Sequence, residues 1–365
     1  MVELADKLHS IGERAVLSTL FSVHGSSYKP LGSMMVSGYG SAYRAGGISG
    51  GCLEKYVAQQ GWQLTTHVPA TMLSLSTGLD RDEGNPQTGC GGTIEILCES
   101  IRFEHYSFLH QYYSAHESDE PTIASCLISE TNGEVQSVQR NLGDANTLSV
   151  LKRPFHQLAY QTMERKQSKV YSLPNSCRAL CEYIQPMTRL VIFGARDDAI
   201  PLCRLAHDLD WHVTVADCRA GLATITRFPE ANHLITSDWW HALQLISFNQ
   251  QTVVVIMTHS FPDDVELLSL LADKCCRYVG VLGPVKRKQQ LIREAGTIKP
   301  LPYELLEKLH GPVGFDLGDR SATGIAVSIV SEILAVMNDK ISDPVLEMNS
   351  FPIDHHRFEL SASHA

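Results

Sequence analysis

The sequence predicts an α/β protein: an N-terminal mixed α+β domain followed by a Rossmann-like parallel-sheet domain. Three observations predict it. From Thr188 onward, short β-branched runs alternate with helical stretches, the rhythm of a parallel sheet with crossover helices. Before that point, strand-like segments are separated mainly by Gly-rich turns. The chain has 365 residues, 44% hydrophobic and 19% charged, enough apolar material for two cores and too much for a disordered or fibrous chain.

The elements follow in order. Leu4, Leu8 and Ile11 recur at helical spacing. Ala15–Val23 reads as a strand, Gly25–Gly32 as a turn-rich loop and Met34–Val36 as a second strand. Gly46–Gly51 then leads into a helix from Cys52 to about Leu64. Thr71–Ser76 and Thr93–Cys98 are strands flanking a loop over Arg81–Gly92. Thr122–Glu130 and Glu134–Arg140 form a hairpin, because Asn132-Gly133 suits a turn with positive φ. Residues 172–187, with Pro174, Asn175 and Pro186, read as a linker. Beyond it, strands are expected at Leu190–Phe193, His212–Ala216, Gln251–Met257 and Arg277–Leu282. Helices are expected at Ala199–Leu209, Asp263–Lys274 and Gly324–Met337. The expected domains are residues 1–171 and 188–338, with a tail over 339–365.

Charge and targeting narrow the function classes. Thirty basic against forty acidic side chains give a net charge of −10, unsuited to a general nucleic-acid binder. The N-terminus lacks an apolar signal-peptide core, and no apolar run reaches membrane-span length. A cytoplasmic location without a membrane partner is the expectation. The ten cysteines are scattered and include no Cys-x2-Cys zinc spacing, so disulfides are not expected.

Four constellations carry the candidate chemistry. In Gly46-Gly47-Ile48-Ser49-Gly50-Gly51-Cys52, glycines at a helix start let backbone N–H groups approach an anion such as phosphate. Cys52 falls in the first turn, where the helix start favours a thiolate. A tight turn with a buried cysteine is the competing interpretation. In Thr88-Gly89-Cys90-Gly91-Gly92 a second cysteine has small neighbours that leave its sulfur reachable. Whether Cys52 and Cys90 share one cavity is open.

The third constellation follows Phe193. A dinucleotide loop needs Gly-x-Gly-x-x-Gly or Ala, and Gly194-Ala195-Arg196-Asp197-Asp198-Ala199 replaces its middle glycine with Arg196. Asp197 and Asp198 bring negative charge to the phosphate position. Asp217 ends the next strand, where a ribose-binding acid is expected. The fold signal is good and the NAD(P) signal poor. Fourth, His259 follows one strand, and Gly283 with Lys286, Arg287 and Lys288 follows the next, placed to meet an anion at the strand ends. A helix cap and a solvated helix start are the plainer interpretations.

Together these residues resemble the XdhC/CoxI family of molybdenum-hydroxylase maturation factors, the accessory factors of xanthine dehydrogenase. Gly25-Ser26-Ser27-Tyr28-Lys29-Pro30-Leu31-Gly32 is similar to the family's Gly-Ser-x-Pro-Arg-x-x-Gly loop, and Gly47–Glu54 to its Gly-Ser-Ile-Ser-Gly-Gly-Cys-Leu-Glu signature. Gly89–Gly92, Arg227–Pro229, Met257–His259, Tyr278–Gly283 and Gly311–Gly314 resemble further blocks in the same order. Lys29 stands in place of the family's Arg and Tyr28 in place of its Pro, and Gly194–Asp197 replaces Gly-Ala-Gly-His. Lys keeps the charge but not the bidentate fork.

The resemblance implies a cofactor-binding chaperone rather than a stand-alone enzyme. It implies binding of the molybdenum cofactor, a phosphate-bearing molybdopterin, and support for exchange of an oxo for a sulfido ligand. A cysteine desulfurase would supply sulfur, an apo-hydroxylase would receive the product, and a homodimer is the candidate assembly. The implied site is Cys52 and Cys90 as the reactive or molybdenum-contacting thiols. Lys29, Gly47, Ser49, Gly50, Gly51, Gly194, Asp217, His259 and Gly283 would surround the cofactor. Two alternatives remain open: an NAD(P)-dependent oxidoreductase, or an interaction scaffold that has lost its ligand.

Overall fold

The computed structural model describes residues 1–39, 43–76, 92–101, 103–144 and 155–340, and the chain divides into two units at Pro186/Met187. The first unit opens with α1 (Val2–Ser10), β1 (Val16–His24), β2 (Met34–Ser37), β3 (Arg44–Gly46) and α2 (Glu54–Leu64). It continues through β4 (Ala70–Ser76), β5 (Thr93–Ser100), α3 (Phe103–Glu117), β6 (Thr122–Thr131), β7 (Glu134–Gly143), α4 (Phe155–Arg165), β8 (Lys169–Leu173) and β9 (Cys177–Ile184).

Two antiparallel sheets result, ordered β3-β2-β1-β5-β4 and β7-β6-β9-β8. The apolar side chains of β1 and β5 are shared between two buried environments, and polar residues such as Ser18, Thr19 and Glu99 are buried between them. Val16, Leu20 and Ile96 pack with Val57 and Ala58 of α2. Phe21 and Leu97 pack with Cys126 and Leu180 of the second sheet. The predicted hairpin forms, with Asn132 at φ 54° and Gly133 at φ 81° in its turn.

The linker expected over residues 172–187 is not one. Leu173 ends β8, and Cys177–Ile184 is a strand paired along its length between β6 and β8. The turn signals at Pro174 and Asn175 are real, but they mark the β8–β9 connection, where Asn175 and Ser176 take positive φ.

The second unit contains β10 (Arg189–Phe193), α5 (Ala199–Asp208), β11 (His212–Asp217), β12 (His233–Thr236), α6 (Trp239–Leu245) and β13 (Thr252–Ile256). It ends with α7 (Phe261–Leu271), β14 (Tyr278–Val281), α8 (Val285–Ile298), α9 (Tyr303–Glu307), β15 (Leu309–His310) and α10 (Ala322–Met337). All pairings in its sheet are parallel, in the order β12-β11-β10-β13-β14-β15. This is the doubly wound Rossmann order, with its switch point between β10 and β13.

Both faces of that sheet are covered, which is why its central strands β10 and β13 are almost wholly apolar. Leu190 and Ile192 face Leu202 of α5 and Ile329 and Ile333 of α10. Val191 and Phe193 face Trp239, Leu267 and Leu268. Among the described residues, no helix is long and apolar enough to cross a membrane.

Candidate functional site

In the first unit, antiparallel pairing brings the functional loops to one end of a sheet. His24 at the end of β1 pairs with Thr93 at the start of β5, and Met35 near the start of β2 pairs with Gly46 at the end of β3. The Gly25–Gly32 loop, the Gly46–Cys52 turn and Gly92 therefore emerge together. A Cβ on Gly92 would lie 2.7 Å from the His24 carbonyl oxygen, and one on Gly50 would touch the Tyr28 ring at 3.5 Å.

The Gly46–Cys52 turn depends on its glycines at two points. Gly46 has φ 82° and lies so close to β2 that a Cβ would fall 2.4 Å from the Met34 carbonyl oxygen. Gly51 has φ 108° with open space around it.

Inside the turn sits a carboxylate that the sequence patterns did not single out. Glu54, the first residue of α2, is buried and turns back into the loop. Its Oε1 accepts from the N–H groups of Ser49 at 2.8 Å and Ile48 at 3.2 Å, and its Oε2 accepts from Ser49 Oγ at 2.7 Å. Ser49 Oγ in turn accepts from the N–H groups of Gly51 and Leu53. Burial pushes the Glu54 carboxyl up, but bonds from Ser49, Ile48 and its own N–H outweigh this and hold it below the usual range. The available signal was a first-turn acid beside a serine, a reciprocal arrangement related to a capping box.

These bonds decide what the turn can offer a ligand. The N–H groups of Ile48 and Ser49 already face a carboxylate, and that of Gly47 donates to the Met34 carbonyl. Beyond Gly46, where the turn leaves β3, the exposed members are Gly50, Gly51 and Cys52. Cys52 lies just before the helix, rather than in its first turn as expected, with Sγ 3.7 Å from Ser49 Oγ. The competing idea of a buried cysteine does not hold, because Cys52 is an exposed free thiol. Lys29 is exposed on the neighbouring loop. Cys90, with Gly89 and Gly91, lies outside the described residues. Among the described residues, no group of three His, Cys, Asp or Glu side chains is arranged to hold a metal ion.

In the second unit, Gly194 directly follows β10 at the switch point with φ 110°, and a Cβ there would lie 2.4 Å from the Met257 carbonyl oxygen. Asp217 is fully buried and faces this loop. Its carboxylate accepts from the Ala195 N–H at 2.7 Å and from both the N–H and the guanidinium of Arg219. Burial raises the Asp217 carboxyl, and the Arg219 and Ala195 bonds bring it below its ordinary value.

The two loop acids are also engaged. Arg227 donates to the Ala195 carbonyl at 2.7 Å and to Asp197 at 2.6 Å. His259, in the left-handed region at φ 61°, places Nε2 2.6 Å from Asp198 Oδ2 across the switch point. The anion that His259 meets is thus a side chain of its own unit. Arg287, in the basic cluster after Gly283, pairs with the buried Asp264 at 2.6 Å. The blocks Tyr278–Gly283 and Gly311–Gly314 are joined by Glu332, which accepts from Tyr278 Oη at 2.5 Å and from the Gly314 N–H at 2.7 Å.

Comparison with known proteins assigns the chain. A family model described as the XdhC Rossmann domain matches residues 190–333, and the XdhC and CoxI family model matches residues 8–74. The chain is 30% identical over 342 residues to a protein of Bacillus subtilis (strain 168) described as a probable xanthine dehydrogenase subunit, covering 91% of this chain and 96% of that one. The chain belongs to the XdhC/CoxI family. A second relative is the molybdenum cofactor insertion chaperone PaoD of Escherichia coli (strain K12), 23% identical over 350 residues, with 93% of this chain and 88% of that one covered. A crystal structure described as a xanthine dehydrogenase, from Bacillus halodurans, shares the fold of this XdhC/CoxI member with a TM-score of 0.71 at 24% identity, over 96% of this chain and 99% of that one.

Proposed function

We propose that this XdhC/CoxI member is a maturation factor that carries the molybdenum cofactor as cargo. It supports exchange of a terminal oxo for a sulfido ligand, with sulfur from a cysteine desulfurase. It then delivers the product to the apo form of a xanthine-dehydrogenase-type hydroxylase in the cytoplasm. The similarity to an insertion chaperone supports cofactor handling. The observation that carries the reading is the exposed Cys52 thiol beside Gly50 and Gly51, where the family loops converge.

The donor set fits this cargo. A thiolate is a soft ligand suited to molybdenum and sulfur, and Cys90 is proposed as its partner thiol. Because Glu54 fills the inner part of the turn, the proposed contacts of Gly47 and Ser49 are to the outer rim of the cofactor. Lys29 supplies charge for the phosphate on the adjoining loop. The proposed roles of Gly194, His259 and Gly283 concern the second unit's crevice.

Conventional NAD(P) binding is not part of the proposal. Asp217 would have to release the Ala195 N–H and Arg219 to hold a ribose, and Asp197 and Asp198 lie where phosphate would approach.

The test is purification from a host that makes molybdopterin, followed by oxidation to a fluorescent pterin. The expected result is pterin fluorescence that follows the protein through gel filtration. Folded protein without pterin, from a host in which an apo-hydroxylase is still matured, would remove the cargo reading.

A further inference from the structure

At the other end of the first sheet lies a cavity of about 300 Å³ between β5, β7 and α3. Glu99, which lines it, is six residues along β5 from Thr93, roughly 20 Å from the Cys52 end of the sheet. The cavity's floor is charged and almost fully buried. Arg140 and Glu99 have side chains 9% and 3% exposed, and His105 lies 3.1 Å from Glu99 Oε1. Arg140 donates through Nε and Nη2 to Glu99 and through Nη2 to Thr19. Its Nη1 makes no hydrogen bond among the described residues, and the guanidinium lies 5.1 Å from the centre of the Phe108 ring, which also lines the cavity. The walls combine apolar Ala70, Phe108, Val135 and Val138 with polar Gln136 and Ser137 of β7.

The charge balance selects the ligand. Burial raises the Glu99 carboxyl, but Arg140 and His105 more than reverse this, so it is an anion. Arg140 is its cation, so the pair is already neutralised. A further carboxylate would be desolvated beside Glu99 at a cost that one N–H edge does not offset. A neutral group whose carbonyl accepts from Arg140 Nη1 meets no such cost. Phe108 and the two valines suit a flat ring, and the volume is at the small end of ligand pockets.

We propose that this cavity binds a neutral planar heterocycle bearing a ring carbonyl, with the carbonyl on Arg140 and the ring against Phe108 and Val138. The site is separate from Cys52 and rests on no part of the cofactor reading.

Pterin and hypoxanthine share this chemistry and serve as probes, with benzoate as the charged ring of similar flatness. Calorimetry on the full chain is expected to show saturable binding of at least one heterocycle, tighter than benzoate. Saturable pterin with no hypoxanthine binding would identify the pterin class, and the reverse the purine class. Val138→Phe fills the cavity from its less buried wall and should weaken binding by about tenfold or more. Ala70→Val narrows the cavity from β4 and serves if Val138→Phe melts early. Cys52→Ser should leave this binding unchanged. No binding of either heterocycle at millimolar concentration, tighter benzoate, or unchanged affinity in the folded cavity variants would overturn the proposal.

Discussion

Ser49 and Glu54 hold each other: the serine hydroxyl and N–H both donate to the same carboxylate, at 2.7 and 2.8 Å. The Gly-rich turn therefore has an internal anion, and its shape does not depend on an external one. Glu54→Ala removes the acceptor for three donors and leaves Ser49 buried without it. The expected cost is about 2–3 kcal/mol, read from denaturant unfolding. Glu54→Gln keeps the shape and loses the charge, so it should cost less. Because the folded carboxyl lies below its ordinary value of 4.5, its contribution is present above that pH and is lost as pH falls through the folded value. A parent and a Glu54→Gln variant with the same acid-side slope would remove this assignment.

Cys52→Ser keeps the size of the side chain and removes the soft donor. It should strongly reduce molybdenum-cofactor retention while the melting temperature stays near that of the parent, since Cys52 is exposed. Cys90→Ser should reduce retention less. Full loading of a folded Cys52→Ser protein would rule out the thiol role, whatever the loops do with the phosphate.

NADH and NADPH should show no saturable calorimetric binding. Arg196→Gly alone should recover little, because Asp217 stays bound to Ala195 and Arg219 and Asp197 stays bound to Arg227. Tight NADH binding by the parent would show that the Asp217 bonds exchange for a ribose.

Gly194→Ala should be among the most damaging single-methyl changes in the second unit. Its φ of 110° is strained for any L side chain, and the new carbon would meet the Met257 carbonyl carbon at 2.6 Å. A loss of about 3 kcal/mol is expected from strain and clash together. Gly221, also at positive φ but with nothing within 4 Å, is the control for φ alone. Equal losses at the two positions would mean that the close approach contributes nothing.

Glu182 on β9 gives the opposite pH sign. Burial pushes its carboxyl up to about 7, against the lowering effects of the Tyr112 hydroxyl bond and Arg140. The folded protein favours the protonated form, so this stabilisation is full below the ordinary value of 4.5 and is lost as pH rises through about 7. Glu182→Gln should flatten the fall in unfolding midpoint across that window. An unchanged slope would place the titration elsewhere.

The second unit was legible because a parallel sheet covered on both faces writes its strands as apolar runs, as in Leu190–Phe193 and Thr252–Ile256. The first unit was less so. Pro174 and Asn175 signal a turn, but local sequence does not say whether a turn joins two strands or two domains. Only the pairing of Cys177–Ile184 with β6 decides it. The site divides in the same way. Cys52 and its glycines announce themselves by type and spacing. The Asp198–His259 contact joins positions 61 residues apart and follows only once β10 and β13 are known to be neighbours.

The position of β9 between β6 and β8 also bears on how the chain is made. Synthesis delivers β6 and β7 first, and β6 then has a hairpin partner on one side and bare N–H and carbonyl groups on the other. Among the described residues before Cys177, none fills that side in the folded protein, because its occupant is Cys177–Ile184. The nascent chain must therefore hold an open strand edge until the ribosome has released residues lying just before the second unit. During that interval it is exposed to pairing with another copy.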